Sequence, residues 1–220
     1  MSVEHRAWDW NKNASDIWHV PCEESFFLLN RWKAAGFNRF LDLGCGLGRH
    51  SLQFALAGFS VDSFDLSPVA VAETRKKAQD SGVSLRAAAG DMNSLPYDAE
   101  SFDCLLAYHV VSHTDTAGIT KTLAEIRRVL RPSGEFFLSL CSKKAWSFAE
   151  AGFPKIDDNT VMKTEEGPEY GIPHFFADDR TIDSLFRREE LVFVKHTQDL
   201  IVNGADYGSW HYFILGKNAS

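Results

Sequence analysis

The stretch Leu41-Asp42-Leu43-Gly44-Cys45-Gly46-Leu47-Gly48-Arg49-His50 constrains this chain more than any other. Arg39 to Leu43 reads as a strand, the three alternating glycines as a loop, and the residues from Gly48 as the start of a helix. Glycines crowd a loop where the backbone takes positive φ or where something approaches it closely. In open α/β sheets such loops lie at the carboxyl ends of strands, where ligands bind. The dinucleotide fingerprint Gly-x-Gly-x-x-Gly, counted from Gly44 and Gly46, wants a third glycine where Arg49 stands. A nicotinamide oxidoreductase is excluded on that ground. Asp42, two residues before Gly44, would repel a pyrophosphate and suits a ligand with a cationic group. The loop is built for an amino-acid-like or sulfonium ligand.

The 220 residues make one well-packed domain, and a second would be cramped. No apolar run approaches the roughly 18 residues of a spanning helix. Met1 to Asn11 has charges and two tryptophans but no apolar core of a signal peptide. Cys22, Cys45, Cys104 and Cys141 are scattered without a Cys-x-x-Cys, which reads as reduced thiols in a cytoplasmic protein and not as a zinc site. The net charge of −7 disfavours nucleic acid as the main partner.

Residues 1–35 form an N-terminal arm and helix holding four of the six tryptophans, Trp8, Trp10, Trp18 and Trp32. Phe26, Phe27, Leu29 and Trp32 suggest a helix over Pro21 to Lys33 that packs by one face. From residue 38 strands and helices alternate. Strands are expected at Arg39 to Leu43, Ser60 to Leu66, Val83 to Ala89, Phe102 to His109 and Glu135 to Cys141. The helix Gly48 to Ala57 would turn Leu52, Ala55 and Leu56 inward, with Gly58 closing it. Ser67-Pro68 caps and starts a second helix, running to about Asp80. Ile119, Leu123, Ile126 and Leu130 share a face of a third. Such alternation implies parallel strands joined by right-handed crossovers. Residues 142–177 break the rhythm with 36 residues rich in Gly, Pro and aromatics. A connection that long, leaving the rim that carries the glycine loop, reads as a lid. Asp178 then caps a short helix with Ile182, Leu185 and Phe186 inward. Leu191 to Val202 and Ser209 to Gly216 read as a hairpin joined by Asn203 to Gly208.

Asp42-x-Gly44-x-Gly46-x-Gly48 resembles motif I of class I S-adenosylmethionine-dependent methyltransferases. Asp65, about 20 residues on at the end of strand two, stands where an acidic side chain accepts both ribose hydroxyls. Gly90-Asp91-Met92 follows strand three. Phe102-Asp103 with Arg128-Val129-Leu130-Arg131-Pro132-Ser133-Gly134 is similar to the later motifs of the subfamily called type 11. The resemblance implies a doubly wound, Rossmann-like, seven-stranded and mostly parallel sheet in the order 3-2-1-4-5-7-6, ending in an antiparallel hairpin. It implies S-adenosyl-L-methionine as cofactor, with S-adenosyl-L-homocysteine as product. The implied cofactor residues are Asp42, Gly44, Cys45, Gly46, Gly48, Asp65, Leu66, Asp91, Met92 and Tyr108. The N-terminal segment of such enzymes often folds over the cofactor, and tryptophan faces attract a sulfonium.

Methyl transfer is an in-line displacement in which positioning supplies much of the acceleration. A base is needed only if the acceptor must lose a proton. In Tyr108-His109-Val110-Val111-Ser112-His113, where the family brings donor and acceptor together, His109 is the first candidate base and His113 the second. His174 is a third, and Glu165, Glu166 and His174 are the polar groups of the lid. No Asp/Asn-Pro-Pro-Tyr/Phe follows strand four, which sets aside the amino-methylating DNA enzymes. No metal cluster is visible, which argues against the metal-dependent catechol type. The expected acceptor is a small molecule. A protein or RNA acceptor, or a non-catalytic binding module, are the alternatives.

Overall fold

The computed structural model describes residues 5–12, 16–202 and 205–219. Its frame is a twisted sheet whose strands in chain order are β1 (Arg39–Leu43), β2 (Ser60–Asp65), β3 (Arg86–Ala89), β4 (Phe102–Ala107), β5 (Leu130–Ser142), β6 (Lys155–Asp157), β7 (Thr160–Met162), β8 (Pro173–Ala177), β9 (Leu191–Val202) and β10 (Ala205–Lys217). The helices are α1 (Glu23–Ala34), α2 (Arg49–Leu56), α3 (Pro68–Asp80), α4 (Thr116–Val129), α5 (Trp146–Ala149) and α6 (Asp179–Leu185).

β1 pairs in parallel with β2 and β4, β2 with β3, and β4 with β5. β10 runs antiparallel to β5, and β9 antiparallel to β10. The order β3-β2-β1-β4-β5-β10-β9 is the expected 3-2-1-4-5-7-6 arrangement with its closing hairpin. Side chains alternate across each strand, so the sheet has two apolar faces. Leu41, Leu43, Leu105 and Ala107 meet α4 residues Ile119, Leu123 and Ile126 on one side. Phe40, Cys104 and Leu106 meet Leu28, Trp32 and Phe54 on the other. Burying each large side chain stabilises the fold by roughly 1.5–3 kcal/mol.

The caps read from sequence are present. Ser67 accepts from the Ala70 amide, and Asp178 from that of Thr181. Two helix faces differ from expectation. In α1 the buried residues are Ser25, Leu28 and Trp32, while Phe26 and Phe27 are exposed. Leu28 and Trp32 lie one turn apart, and the Trp32 indole donates to Glu135 on β5. That polar anchor, shared with an Arg31 ion pair to the same carboxylate, sets the helix's rotation. In α2 the inward residues are His50, Ser51 and Phe54, and Leu56 is 65% exposed. Phe54 wins because its ring stacks on Phe40 at 4.0 Å.

β4 stops at Ala107, short of the expected His109, because His109 adopts φ +54°. β5 begins at Leu130, earlier than expected, and meets β4 across a register shift. Residues 142–177 were expected as an irregular connection and instead carry α5 and a small antiparallel sheet, β6-β7-β8. β8 joins β5 in parallel at Cys141 and Ser142, beyond the point where β4 has ended. The hairpin strands run closer together than expected, β10 starting at Ala205. Its tip, Asn203 and Gly204, lies outside the described residues.

Candidate functional site

The glycine loop is tied to the end of β2. The Gly44 and Cys45 amides donate to the Phe64 carbonyl, and the Gly46 amide donates to Asp65 Oδ2 at 2.8 Å. The Ser67 amide donates to Asp65 Oδ1, also at 2.8 Å. Each carboxylate oxygen of Asp65 thus holds one backbone amide and keeps a further lone pair for another donor. Burial raises its pKa, and the Ser67 and Gly46 amides pull the other way.

Two of the loop glycines are required for different reasons. Gly46 takes φ +52°, and a Cβ there would lie 2.8 Å from the Trp10 ring. Gly48 takes φ +81°, and a Cβ there would lie 2.8 Å from Thr74 Oγ1 on α3. Gly46 therefore admits a flat group against the loop, while Gly48 lets two helices close.

Above the loop, Gly44, Cys45, Gly46, Asp65 and Tyr108 line a cavity of about 70 Å³ with Trp8, Trp10 and Trp18. The three indoles pack on one another at 5.3–6.0 Å between centroids. Small-molecule pockets generally enclose roughly 300–1,000 Å³, so a nucleoside-sized ligand must displace indoles to enter. Trp8 Nε1 and Trp10 Nε1 are buried without a hydrogen-bond partner among the described residues.

The arm is fastened at both ends. Arg49, in the place where the dinucleotide pattern wanted glycine, donates to the carbonyls of Ile17 and Val20 and lies 5.0 Å from the Trp18 ring. His5 Nδ1 lies 2.7 Å from Asp91 Oδ2, and the Asp9 amide donates to Pro168 in the insertion. Arm and insertion form one cover over the carboxyl-end rim.

A second cavity, of about 150 Å³, shares Trp8, Trp18, His109 and His113 with the first. Its other walls include Ser112, Ser139, Cys141, Lys163, Glu169, His174 and His211. His109 stands at the junction. Its backbone amide donates to Ser139 Oγ at 2.7 Å, and its Nδ1 lies 3.2 Å from the same hydroxyl. A positive φ at a non-glycine residue costs free energy and persists where the surroundings impose it, often at functional sites. Burial first, then His211, hold the His109 pKa well below the usual histidine range. Burial and His174 push His113 down to about 3. Both rings are neutral at pH 7. Burial also raises the Cys141 thiol to about 11, so it is not a thiolate.

Of the residues implied for the cofactor, Gly44, Cys45, Gly46, Asp65 and Tyr108 line the first cavity, as do both candidate histidines. Asp42, Gly48, Leu66, Asp91 and Met92 do not. Asp42 lies beneath the loop at 1% exposure, accepting from Ser51 Oγ at 2.5 Å. Asp91 faces His5, and Met92 packs against the core. Of the lid's polar groups, Glu165 and Glu166 are exposed and His174 is buried. Glu169 was not singled out, nor were Arg49, His50 and His211. Arg49 had a signal, since it breaks the glycine pattern; the others had none.

A family model described as a methyltransferase domain matches residues 40–134. Residues 40–134 carry a methyltransferase domain. The resemblance drawn from the glycine loop is borne out for the family. A protein of Bacillus subtilis named as an uncharacterized methyltransferase is 33% identical over 94 residues, covering 43% of this chain and 39% of that protein. A ubiquinone biosynthesis O-methyltransferase of Xanthomonas euvesicatoria is 31% identical over 152 residues, 68% of this chain and 62% of that one. The chain thus spans less than two thirds of the curated relatives it matches. The crystal structure of a SAM-dependent methyltransferase from Methanosarcina mazei superposes with a TM-score of 0.68 at 19% identity, over 82% of this chain and 92% of that one. That likeness is one of fold. No helix among the described residues is long and apolar enough to cross a membrane.

Proposed function

We propose that this chain transfers a methyl group from S-adenosylmethionine, bound at the glycine loop, to a small molecule held in the second cavity. The observation that carries the reading is the shared wall. Trp8, Trp18, His109 and His113 border both cavities, which supports a donor in the first set against an acceptor in the second. Asp65 offers its remaining lone pairs to the ribose hydroxyls. The Trp8 and Trp10 N–H groups supply donors for a carboxylate, and the indole faces stabilise the sulfonium charge by roughly 0.5–2 kcal/mol.

The sulfonium carbon is attacked by a lone pair of the acceptor, and the C–S electron pair returns to sulfur, leaving S-adenosylhomocysteine. His109, neutral and held at the junction by Ser139, is the group placed to accept a proton from the acceptor. Its depressed basicity makes it a weak base, so alignment rather than proton abstraction supplies most of the acceleration. The mixed walls, with hydroxyl, imidazole and carboxylate groups beside Phe176, suit a compact polar acceptor. The ubiquinone-pathway relative is a small-molecule enzyme by its name, which supports the same class.

The test is a screen of metabolite extracts with isotopically labelled donor. The reading expects label in a small-molecule fraction, dependent on Asp65 and His109. Label appearing solely in protein or RNA would overturn the acceptor class.

A further inference from the structure

Three side chains that no sequence spacing connects converge on one point of the second cavity. His113 follows β4, Glu169 lies between β7 and β8, and His174 is on β8. His174 Nε2 is 3.2 Å from Glu169 Oε1, and His113 Nε2 is 4.0 Å from the same oxygen. One ligand atom from each residue lies within 4.8 Å of the others. Ligands about 2.0–2.1 Å from a tetrahedral ion sit roughly 3.3–3.4 Å apart, so these separations bracket a first coordination sphere.

The hydrogen-bond accounting around His174 asks for a cation. Its Nδ1 lies 3.1 Å from the carbonyl oxygen of Ile172, which can accept but not donate, so Nδ1 carries a hydrogen. The neutral ring then points an Nε2 lone pair at Glu169, whose carboxylate is also an acceptor. His174 is 3% exposed. Two acceptors in contact, the histidine buried and the carboxylate about a third exposed, are brought together by positive charge between them. A metal ion uses all three groups.

The surroundings are arranged as those of a metal ligand set. The Ile172 carbonyl fixes the tautomer of His174, as second-sphere acceptors do for metal-bound histidines. Lys163 Nζ lies 3.4 Å from Glu169 Oε2, so the two carboxylate oxygens are divided. Oε2 belongs to the lysine, and Oε1 is turned to the histidines. Two imidazoles and one carboxylate suit first-row divalent ions and leave coordination positions open. Ser112, Cys141 and His109 line the same cavity.

We propose that His113, Glu169 and His174 bind one first-row divalent cation whose open positions take the methyl acceptor through a heteroatom. The role given to the ion rests on the methyl-transfer reading above; the binding of the ion does not. Coordination would lower the pKa of an acceptor O–H or S–H, so that its proton passes to His109 and the heteroatom attacks as an anion.

The experiment uses the untagged 220-residue chain, stripped with chelator and titrated with Zn²⁺ by calorimetry and with Co²⁺ by visible absorption. One equivalent per chain is expected, with intensified Co²⁺ bands of a low-coordinate nitrogen–oxygen site. The Trp8 ring stacks on His113 at 6.0 Å, so bound Co²⁺ should also quench tryptophan fluorescence. Glu169→Gln and His113→Asn, each checked for fold by circular dichroism, should weaken binding at least tenfold, whereas His196→Gln should not. A folded wild-type protein that takes up no stoichiometric ion overturns the proposal. Unchanged affinity in both site variants overturns it equally. Donor affinity measured on the same samples separates the two readings: lost donor binding with intact metal binding counts against methyl transfer alone.

Discussion

Replacing Asp42 by Asn tests the electrostatics beneath the glycine loop. Asp42 is 1% exposed, and its closest polar side chain is Ser51. Burial raises its pKa from 3.8 to about 6, opposed by the Ser51 hydrogen bond and the more distant Arg49. A carboxyl whose folded pKa lies above its unfolded value binds more protons in the folded state between the two. Stability therefore falls as pH rises from about 4 through 6 and stays lower above that. At about 1.36 kcal/mol per pH unit, a rise from 3.8 to about 6 amounts to about 3 kcal/mol at pH 7. Asn keeps the acceptor for Ser51 and removes the charge. Asp42→Asn should therefore be more stable than the native chain at pH 7.5, by about 1–3 kcal/mol once relaxation is allowed. The advantage should vanish by pH 4. Urea titrations of both proteins at several pH values, compared as differences, give the measurement directly. A variant that is less stable at pH 7.5, or a difference independent of pH, would refute the reasoning.

Three further perturbations follow from the site. Asp65→Asn keeps one acceptor oxygen but sets an NH₂ against the amide of Gly46 or Ser67; calorimetry should show donor affinity lower by about 1.5–3 kcal/mol, and unchanged affinity would remove Asp65 from the ribose role. Gly46→Val meets both a positive φ and the Trp10 ring; donor binding should disappear while circular dichroism and melting still report a folded domain. His109→Asn places a residue that tolerates positive φ at the junction; single-turnover assays should show methyl transfer slowed by about 10²-fold or more, with donor affinity within threefold of native.

The parallel half of the fold was legible because each signal in it is local. A glycine loop after an apolar strand, Ser67-Pro68 at a helix start and Asp178 at another all act within a few residues of themselves. Helix rotation is not local. Phe26 and Phe27 are as apolar as Leu28, and what turns Leu28 and Trp32 inward is Glu135, more than a hundred residues away. The strands of the insertion were missed because β6 and β7 have three residues each, too few to show a period. Half of the residues implied for the cofactor line the cavity; Asp42 instead faces Ser51 beneath the loop, a partner that only the helix geometry reveals. Both histidines of the His113–Glu169–His174 cluster were read as candidate bases, but nothing in the sequence joined them to each other or to Glu169. Metal motifs are read from fixed short spacings on one element, and here the ligands come from two sides of a fold that meet only when β8 docks beside β5.

Trp8 and Trp18, placed on the wall common to both cavities, bear on the order of events. Whatever fills the space above the glycine loop must move the indole cluster, and the cluster is also one side of the second cavity. On the methyl-transfer reading proposed above, an acceptor in the second cavity meets a surface finished by what fills the first. On that reading such a geometry gives a compulsory order, donor on first and its demethylated product off last. It also lets a chain with an open first cavity ignore an acceptor to which no methyl group can yet be passed.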